Sequence, residues 1–398
     1  MRIMKSSLDP SLSAKDVLFD RVPVRVYQPK APSAGRRKGM VLFHGGAGLV
    51  GTIGNPAKAL PLAPPSYYEV QSQVGWQRLG CFFWLPPLTP ALPGLPLSRR
   101  EVGSSSRPPT DANPRRGSWH YFYQDICNRI AKEADVVLVA VGYGLSPEHL
   151  YPSQYKQCLA ATAHFMRNAE VYGVDPSQII IFGDSAGGGF TSVVAQQLTK
   201  KPDLPKLRAQ ALIYAGIQAM DFNLPSYVQN ANMPLLGQEN VIHFALRYLN
   251  KDLALKDDIL KGSHVPDDFR LKYRKWVSAD NIPEKFKRGY REVPLAPYKP
   301  EVYKRIPELL EETFSSIFAE DHIIKELPET FIVTCEYDVF RDDGLLYKKR
   351  LEDCGVKVGW FHAEQGFHGV LNFADNGIFT FPAGVEIVDS IIDFVKGL

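Results

Sequence analysis

The sequence predicts an α/β fold built on a mostly parallel central sheet with helices on both faces, and three observations carry that expectation. Short β-branched runs alternate with longer stretches of helical period. The runs are apolar throughout instead of alternating. The chain has 398 residues, 45% of them hydrophobic and 22% charged, which is enough apolar length for a large core. The strand-like runs are Val41 to His44, Val136 to Val141, Ile179 to Phe182, Ala211 to Ala215, Phe331 to Cys335 and Val356 to Phe361. Strands covered on both faces read as unbroken apolar runs, and Val136 to Val141 does so most plainly. Between them Tyr121 to Ala134, Ser153 to Glu170 and Phe190 to Thr199 carry helical spacing. The tail from Val385 to Val395 repeats apolar residues at i, i+3 and i+4, as a helix packed on a core does.

Two stretches interrupt this rhythm. Residues 55 to 117 hold 12 of the 31 prolines and show neither period, so they read as a disordered insertion, with a lid as the alternative. The main domain is then residues 1–54 and 118–398. Residues 219 to 328 differ, because helical patterns at Val241 to Tyr248 and Glu301 to Phe318, with many aromatics, lie between two predicted strands. They are expected to form an inserted helical cap.

Charge and cysteine usage narrow the function classes. With 46 basic against 43 acidic residues, a net charge of +3 supplies no strong field for nucleic acid or an anionic membrane. The cysteines at 81, 127, 158, 335 and 354 contain no C-x-x-C and no zinc spacing, so no metal centre is expected. Met1 to Lys15 lacks the apolar stretch of a signal peptide, and no run reaches about 18 apolar residues. The polypeptide is expected to be soluble or bound at a membrane surface, and its oligomeric state is open.

The strongest local signal is Gly183-Asp184-Ser185-Ala186-Gly187, a G-x-S-x-G between a predicted strand and a predicted helix. This is the pattern of a nucleophile elbow, whose turn is too tight for side chains on either side of the serine. Alone the pattern is weak; the flanking strand and helix give it weight. A serine hydroxyl needs a histidine to take its proton, and that histidine needs a carboxylate to fix its tautomer. His368, in Gly366-Phe367-His368-Gly369 after the last predicted strand, is the expected base. Asp338, after the strand Phe331 to Cys335, is the expected acid, with Glu336, Asp342 and Asp343 as competitors. Oxyanion donors are expected from Ala186 and from His44-Gly45-Gly46-Ala47-Gly48, an H-G-G-G type turn with alanine at its fourth position. A backbone N–H is the donor there, so alanine can supply it if its dihedrals permit.

Taken together these residues resemble the hormone-sensitive-lipase group of α/β hydrolases, and within it the arylacetamide deacetylase-like proteins. The resemblance rests on His44-Gly45-Gly46, the stretch Gly142-Tyr143-Gly144-Leu145-Ser146-Pro147-Glu148-His149, Tyr172-Gly173-Val174-Asp175-Pro176, the elbow, Cys335-Glu336-Tyr337-Asp338 and Gly366-Phe367-His368-Gly369. It covers the chain from about Asp16 onward apart from residues 55 to 117, with Phe19 to Tyr27 matching the first strands. It implies the α/β-hydrolase fold, with Ser185, Asp338 and His368 as triad and Gly45, Gly46, Ala47 and Ala186 around the oxyanion. His44 and Asp184 would support those motifs. The implied activity is cofactor-free hydrolysis of small-molecule or lipid esters or amides with apolar acyl groups, with no nucleic-acid partner. The alternative is a catalytically impaired hydrolase fold used for binding or as a scaffold. The subgroup usually carries an endoplasmic-reticulum membrane anchor and further cap helices at its N-terminus, which this sequence does not show. Gly189 and Gly142 stand where asparagine and aspartate are common.

Overall fold

The computed structural model describes residues 8–49, 120–375, 377 and 380–398. The chain divides into two compact units, Met1–Thr52 with Ser118–Leu398, and Ile53–Gly117. The second unit lies outside the described residues, and so does the insertion expected at 55 to 117.

The described chain opens with β1 (Leu12–Phe19), β2 (Val22–Pro29) and β3 (Arg37–Phe43). Helix α1 (His120–Glu133), β4 (Val137–Val141), α2 (Ser153–Arg167), β5 (Val174–Asp184), α3 (Ala186–Thr199) and β6 (Ala209–Ile213) follow. After a long helical segment containing α4 (Gln238–Tyr248) come β7 (Glu329–Tyr337), α5 (Arg341–Asp353), β8 (Val358–Phe367) and α6 (Pro382–Gly397). The eight strands form one sheet in the order β1-β2-β4-β3-β5-β6-β7-β8. Pairing is antiparallel for β1 with β2 and for β2 with β4, and parallel from β4 to β8. This is the α/β-hydrolase fold, with crossover helices covering both faces.

Alternation along each strand assigns its side chains to one of two cores. Val41, Phe43, Val139, Ile179 and Ile181 face the side covered by α2, α3 and α5. Met40, Leu42, Leu138, Ile180 and Phe182 face α1 and α6. Both sets are buried, which is why the strands are apolar at consecutive positions. Registers such as Phe43 with Gly183 and Asp184 with Ile213 bring the carboxyl ends of β3, β5 and β6 to one edge. The loops that leave this edge carry the residues expected to form the site.

Two expectations need correction. The last strand, expected over Val356 to Phe361, starts at Val358 and runs on to Phe367, so His368 follows its end directly. Glu301 to Phe318 is not one helix: Pro300–Tyr303 is a single α turn, and Pro307–Leu310 and Ser316–Phe318 are 3₁₀ turns. Pro307 is the cause, because a proline disfavours the helical region for the residue before it, and Ile306 has φ −145° and ψ 49°. Among the described residues no helix is long and apolar enough to cross a membrane.

Candidate active site

The turn between β5 and α3 holds Ser185 at φ 55° and ψ −123°, a conformation that L-residues rarely adopt. Its surroundings enforce that geometry. A Cβ on Gly187 would stand 2.0 Å from the carbonyl oxygen of Phe43, and one on Gly183 would stand 2.4 Å from that of Gly187. Backbone therefore packs directly on backbone where β5 turns beside the end of β3, and the Ser185 amide donates to the Ile213 carbonyl at 2.9 Å. The hydroxyl is left at the sheet edge.

There the Ser185 hydroxyl oxygen lies 2.8 Å from Nε2 of His368, and Nδ1 of that imidazole lies 2.9 Å from Oδ2 of Asp338. A carboxylate only accepts, so the proton of a neutral imidazole sits on Nδ1 and Nε2 is free to accept from the serine. Asp338 is fully buried, and its Oδ1 accepts the Phe340 amide at 2.9 Å. The rings of Tyr214 and Phe340 approach the imidazole at 5.1 and 5.3 Å between centroids and limit its tilt. The competing acids are engaged elsewhere. Glu336 pairs with Arg341 at 3.3 Å and His362 at 3.1 Å, and Asp342 accepts the Ser226 amide at 2.7 Å. Asp343 accepts the Ile217 amide at 2.9 Å, and burial pushes its carboxyl up to about 7.

The Gly-rich turn after β3 lies beside the serine. His44 is buried, its ring stacked on Tyr143 at 4.2 Å, and burial pushes its imidazole down to about 4, so it is neutral at pH 7. The chain then takes positive φ at Gly46 (109°), Ala47 (55°) and Gly48 (65°). Gly45 departs from the role expected of it. Its amide donates to Oδ1 of Asp184 at 2.8 Å and to the Tyr123 hydroxyl at 3.0 Å, so it is not directed at a substrate oxygen. Asp184 is thereby a clamp between the elbow and the turn. It also accepts from Tyr123 at 2.9 Å and Tyr214 at 3.4 Å, and burial pushes its carboxyl up to about 6. Sequence reasoning missed Tyr123 and Tyr214, since neither sits in a local motif. Tyr143, whose hydroxyl donates to the His44 carbonyl at 2.6 Å, lies in a quoted motif and was readable there.

Beside Ser185, Ala186 and Ala47 opens a cavity of about 840 Å³, counting the space at its mouth. Phe190, Val193 and Phe340 line it from the sheet side, and Phe222, Leu236, Val241, Phe244, Tyr248 and Phe314 from the segment between β6 and β7. Such a wall binds by desolvation and gives little orientation beyond shape. Among the described residues no group of three or more His, Cys, Asp or Glu side chains is placed to hold a metal ion.

The family profile described as "alpha/beta hydrolase fold" matches residues 117–266 and 301–372. Human arylacetamide deacetylase-like 3 is 37% identical over 391 residues, which is 98% of this chain and 80% of that protein. Arylacetamide deacetylase of Bos taurus is 33% identical over 371 residues, covering 92% of this chain and 76% of that protein. Among solved structures, carboxyl esterase 2 of Tuber melanosporum superposes with a TM-score of 0.60 at 18% identity, over 100% of this chain and 89% of that one. Profile, relatives and fold agree: the chain belongs to the α/β-hydrolase family, among its arylacetamide deacetylase-like members, and is an esterase-type hydrolase.

Proposed function

We propose that this protein hydrolyses small-molecule carboxylic esters or amides with apolar acyl groups through an acyl-enzyme on Ser185. The observation that carries the reading is a serine–imidazole–carboxylate relay at 2.8 and 2.9 Å opening on an apolar cavity. In the first half-reaction the Ser185 oxygen adds to the carbonyl carbon while His368 Nε2 takes the hydroxyl proton, and Asp338 stabilises the imidazolium. The oxyanion of the tetrahedral intermediate is held by the amides of Gly46, Ala47 and Ala186. The intermediate collapses as the C–O or C–N bond breaks, and His368 returns the proton to the leaving alcohol or amine. Water, deprotonated by the same imidazole, then adds to the acyl carbonyl carbon, the bond to the Ser185 oxygen breaks as His368 returns the proton to it, and the carboxylic acid is released. The turn at positive φ is the physical reason Ala47 can serve, since that conformation turns successive amides toward one point.

The segment 219–328 acts in this reading as a cap whose side chains form most of the acyl pocket. No cofactor enters the chemistry. The test is turnover of p-nitrophenyl butyrate by wild type and by Ser185→Ala. A loss of at least about 10⁴-fold in kcat is expected, and equal rates in the two proteins would overturn the assignment.

A further inference from the structure

Gly187, Gly188 and Gly189 follow Ala186 in the first turn of α3, and packing accounts for the first two. A Cβ on Gly187 would stand 2.0 Å from the Phe43 carbonyl oxygen, one on Gly188 would stand 2.6 Å from the Cβ of Ala215, and both residues are buried. Gly189 differs. It is partly exposed, and it lines the cavity together with Ser185, Ala186 and Gly216. Outside its own stretch of helix, a Cβ there would meet one atom within 4 Å, the Gly216 carbonyl oxygen at 3.0 Å, so a side chain at 189 would project into the cavity. The Gly189 amide donates to the Ser185 carbonyl at 3.1 Å, which sets it one turn, about 6 Å along the helix axis, from the nucleophile. Glycine weakens a helix, and what it supplies at 189 is open space beside Ser185. No charged side chain lines the cavity, and its next residues along α3 are Phe190 and Val193.

We infer that Gly189 is a specificity-determining residue whose missing side chain admits an apolar branch or ring on the acyl carbon next to the reacting carbonyl. Ser185, Ala186 and Gly189 share one stretch of wall. The reacting carbonyl lies against the first two, so the acyl carbons that follow it lie against the third. An unbranched chain leaves the space over Gly189 as a void and forfeits its contacts, whereas a hydrocarbon branch fills it and is withdrawn from water. A charged branch would be desolvated there without a counter-charge on the wall. The inference rests on the acyl-pocket reading above and narrows its substrate class from apolar acyl groups to those branched beside the carbonyl.

The probes are p-nitrophenyl 2-ethylbutyrate and p-nitrophenyl hexanoate, whose acyl groups are isomers and whose leaving group is the same. In Gly189→Ala the ratio of kcat/KM for the branched over the linear ester is expected to fall about tenfold from its wild-type value. An unchanged or higher ratio overturns the inference. The same pair is measured by calorimetry on Ser185→Ala and on Ser185→Ala/Gly189→Ala, where the preference in Kd should shift in the same sense and by the same order. In Ser185→Ala alone the branched ester is expected to bind at least as tightly as the linear one, and weaker binding overturns the inference even if the Gly189 variant does not fold. Turnover by Ser185→Ala at the wild-type rate would defeat the hydrolytic reading, while the ratio between the two esters would still decide the role of Gly189.

Discussion

Ser185 holds a strained backbone that its neighbours over-determine, and the residues around it set what each substitution should do. Asp338→Asn leaves the shape of the relay but removes the acceptor that fixes the proton on Nδ1 of His368. A fall of about 10⁴ in kcat on p-nitrophenyl butyrate is expected, and a fall below tenfold would contradict the role of the carboxylate. Gly45 is constrained differently. A Cβ there would stand 2.7 Å from Oδ2 of Asp184, so Gly45→Ala must displace either the clamp or the turn. Since a displacement near 1 Å can cost about 10²-fold, kcat should drop by that order while KM changes little. A pure KM effect would show that the turn serves binding alone.

The same scale shows what the sequence could not disclose. The elbow was readable because its two glycines and its serine fall within five consecutive residues and have a local steric cause. The engagement of the Gly45 amide was not, because it depends on a carboxylate 139 residues away and on Tyr123. Asp338 was readable only as the favoured one of four nearby acids, and it is the loop after β7 that turns it, and not Glu336 or Asp342, toward the imidazole.

At the level of elements, parallel strands were legible because burial on both faces demands unbroken apolar runs, and β4 is buried at every position. Short segments between β6 and β7 were less so, since Pro307 breaks a pattern that periodicity alone extends from 301 to 318. The tail helix α6 was legible from its period, and Ile387, Val388, Ile391 and Ile392 are buried in the core that also holds Ile180 and Phe182. Ile391→Ala should therefore cost about 2–5 kcal/mol of unfolding free energy, measured by urea denaturation. A cost below about 1 kcal/mol would mean that α6 is not anchored there.

The junction between α5 and the chain after β6 offers a pH test. Asp343, at the start of α5, accepts the amides of Ile217 at 2.9 Å and Gln218 at 3.3 Å. Burial raises its carboxyl from 3.8 to about 7, so between those values the folded chain holds a proton that the unfolded chain has released. Stability from this group is therefore full at low pH and falls as pH rises from about 4 to about 7, by up to about 4 kcal/mol. Asp343→Asn has no such proton. The difference in unfolding free energy between pH 5 and pH 7.5 should be smaller in the variant than in wild type, and identical differences would contradict the buried titration.

Across the whole molecule, the sheet supplies a rigid edge on which three loops meet, and the segment between β6 and β7 supplies most of an apolar wall. In the function proposed here that division gives the chemistry to the sheet edge and the selectivity to the segment between β6 and β7. Phe314→Ala enlarges the cavity from the segment side, so the ratio of kcat/KM for p-nitrophenyl decanoate over butyrate should rise about tenfold. An unchanged ratio would separate this cavity from the acyl group. The class of reaction was legible in the sequence because its motifs fall at strand ends, where a parallel sheet gathers them. The cavity was not, because its wall comes from Phe190 on α3, Val241 and Phe244 on α4 and Phe314 further along, which only the packing brings together.

The claim on which all of this turns is that Ser185 is the nucleophile. Treating the purified protein with a fluorophosphonate and mapping the adduct by mass spectrometry tests it most directly. The modification should fall on the peptide bearing Ser185, reach one equivalent per chain, and vanish in Ser185→Ala. Labelling that persists in Ser185→Ala, or an adduct on another residue, would contradict the account.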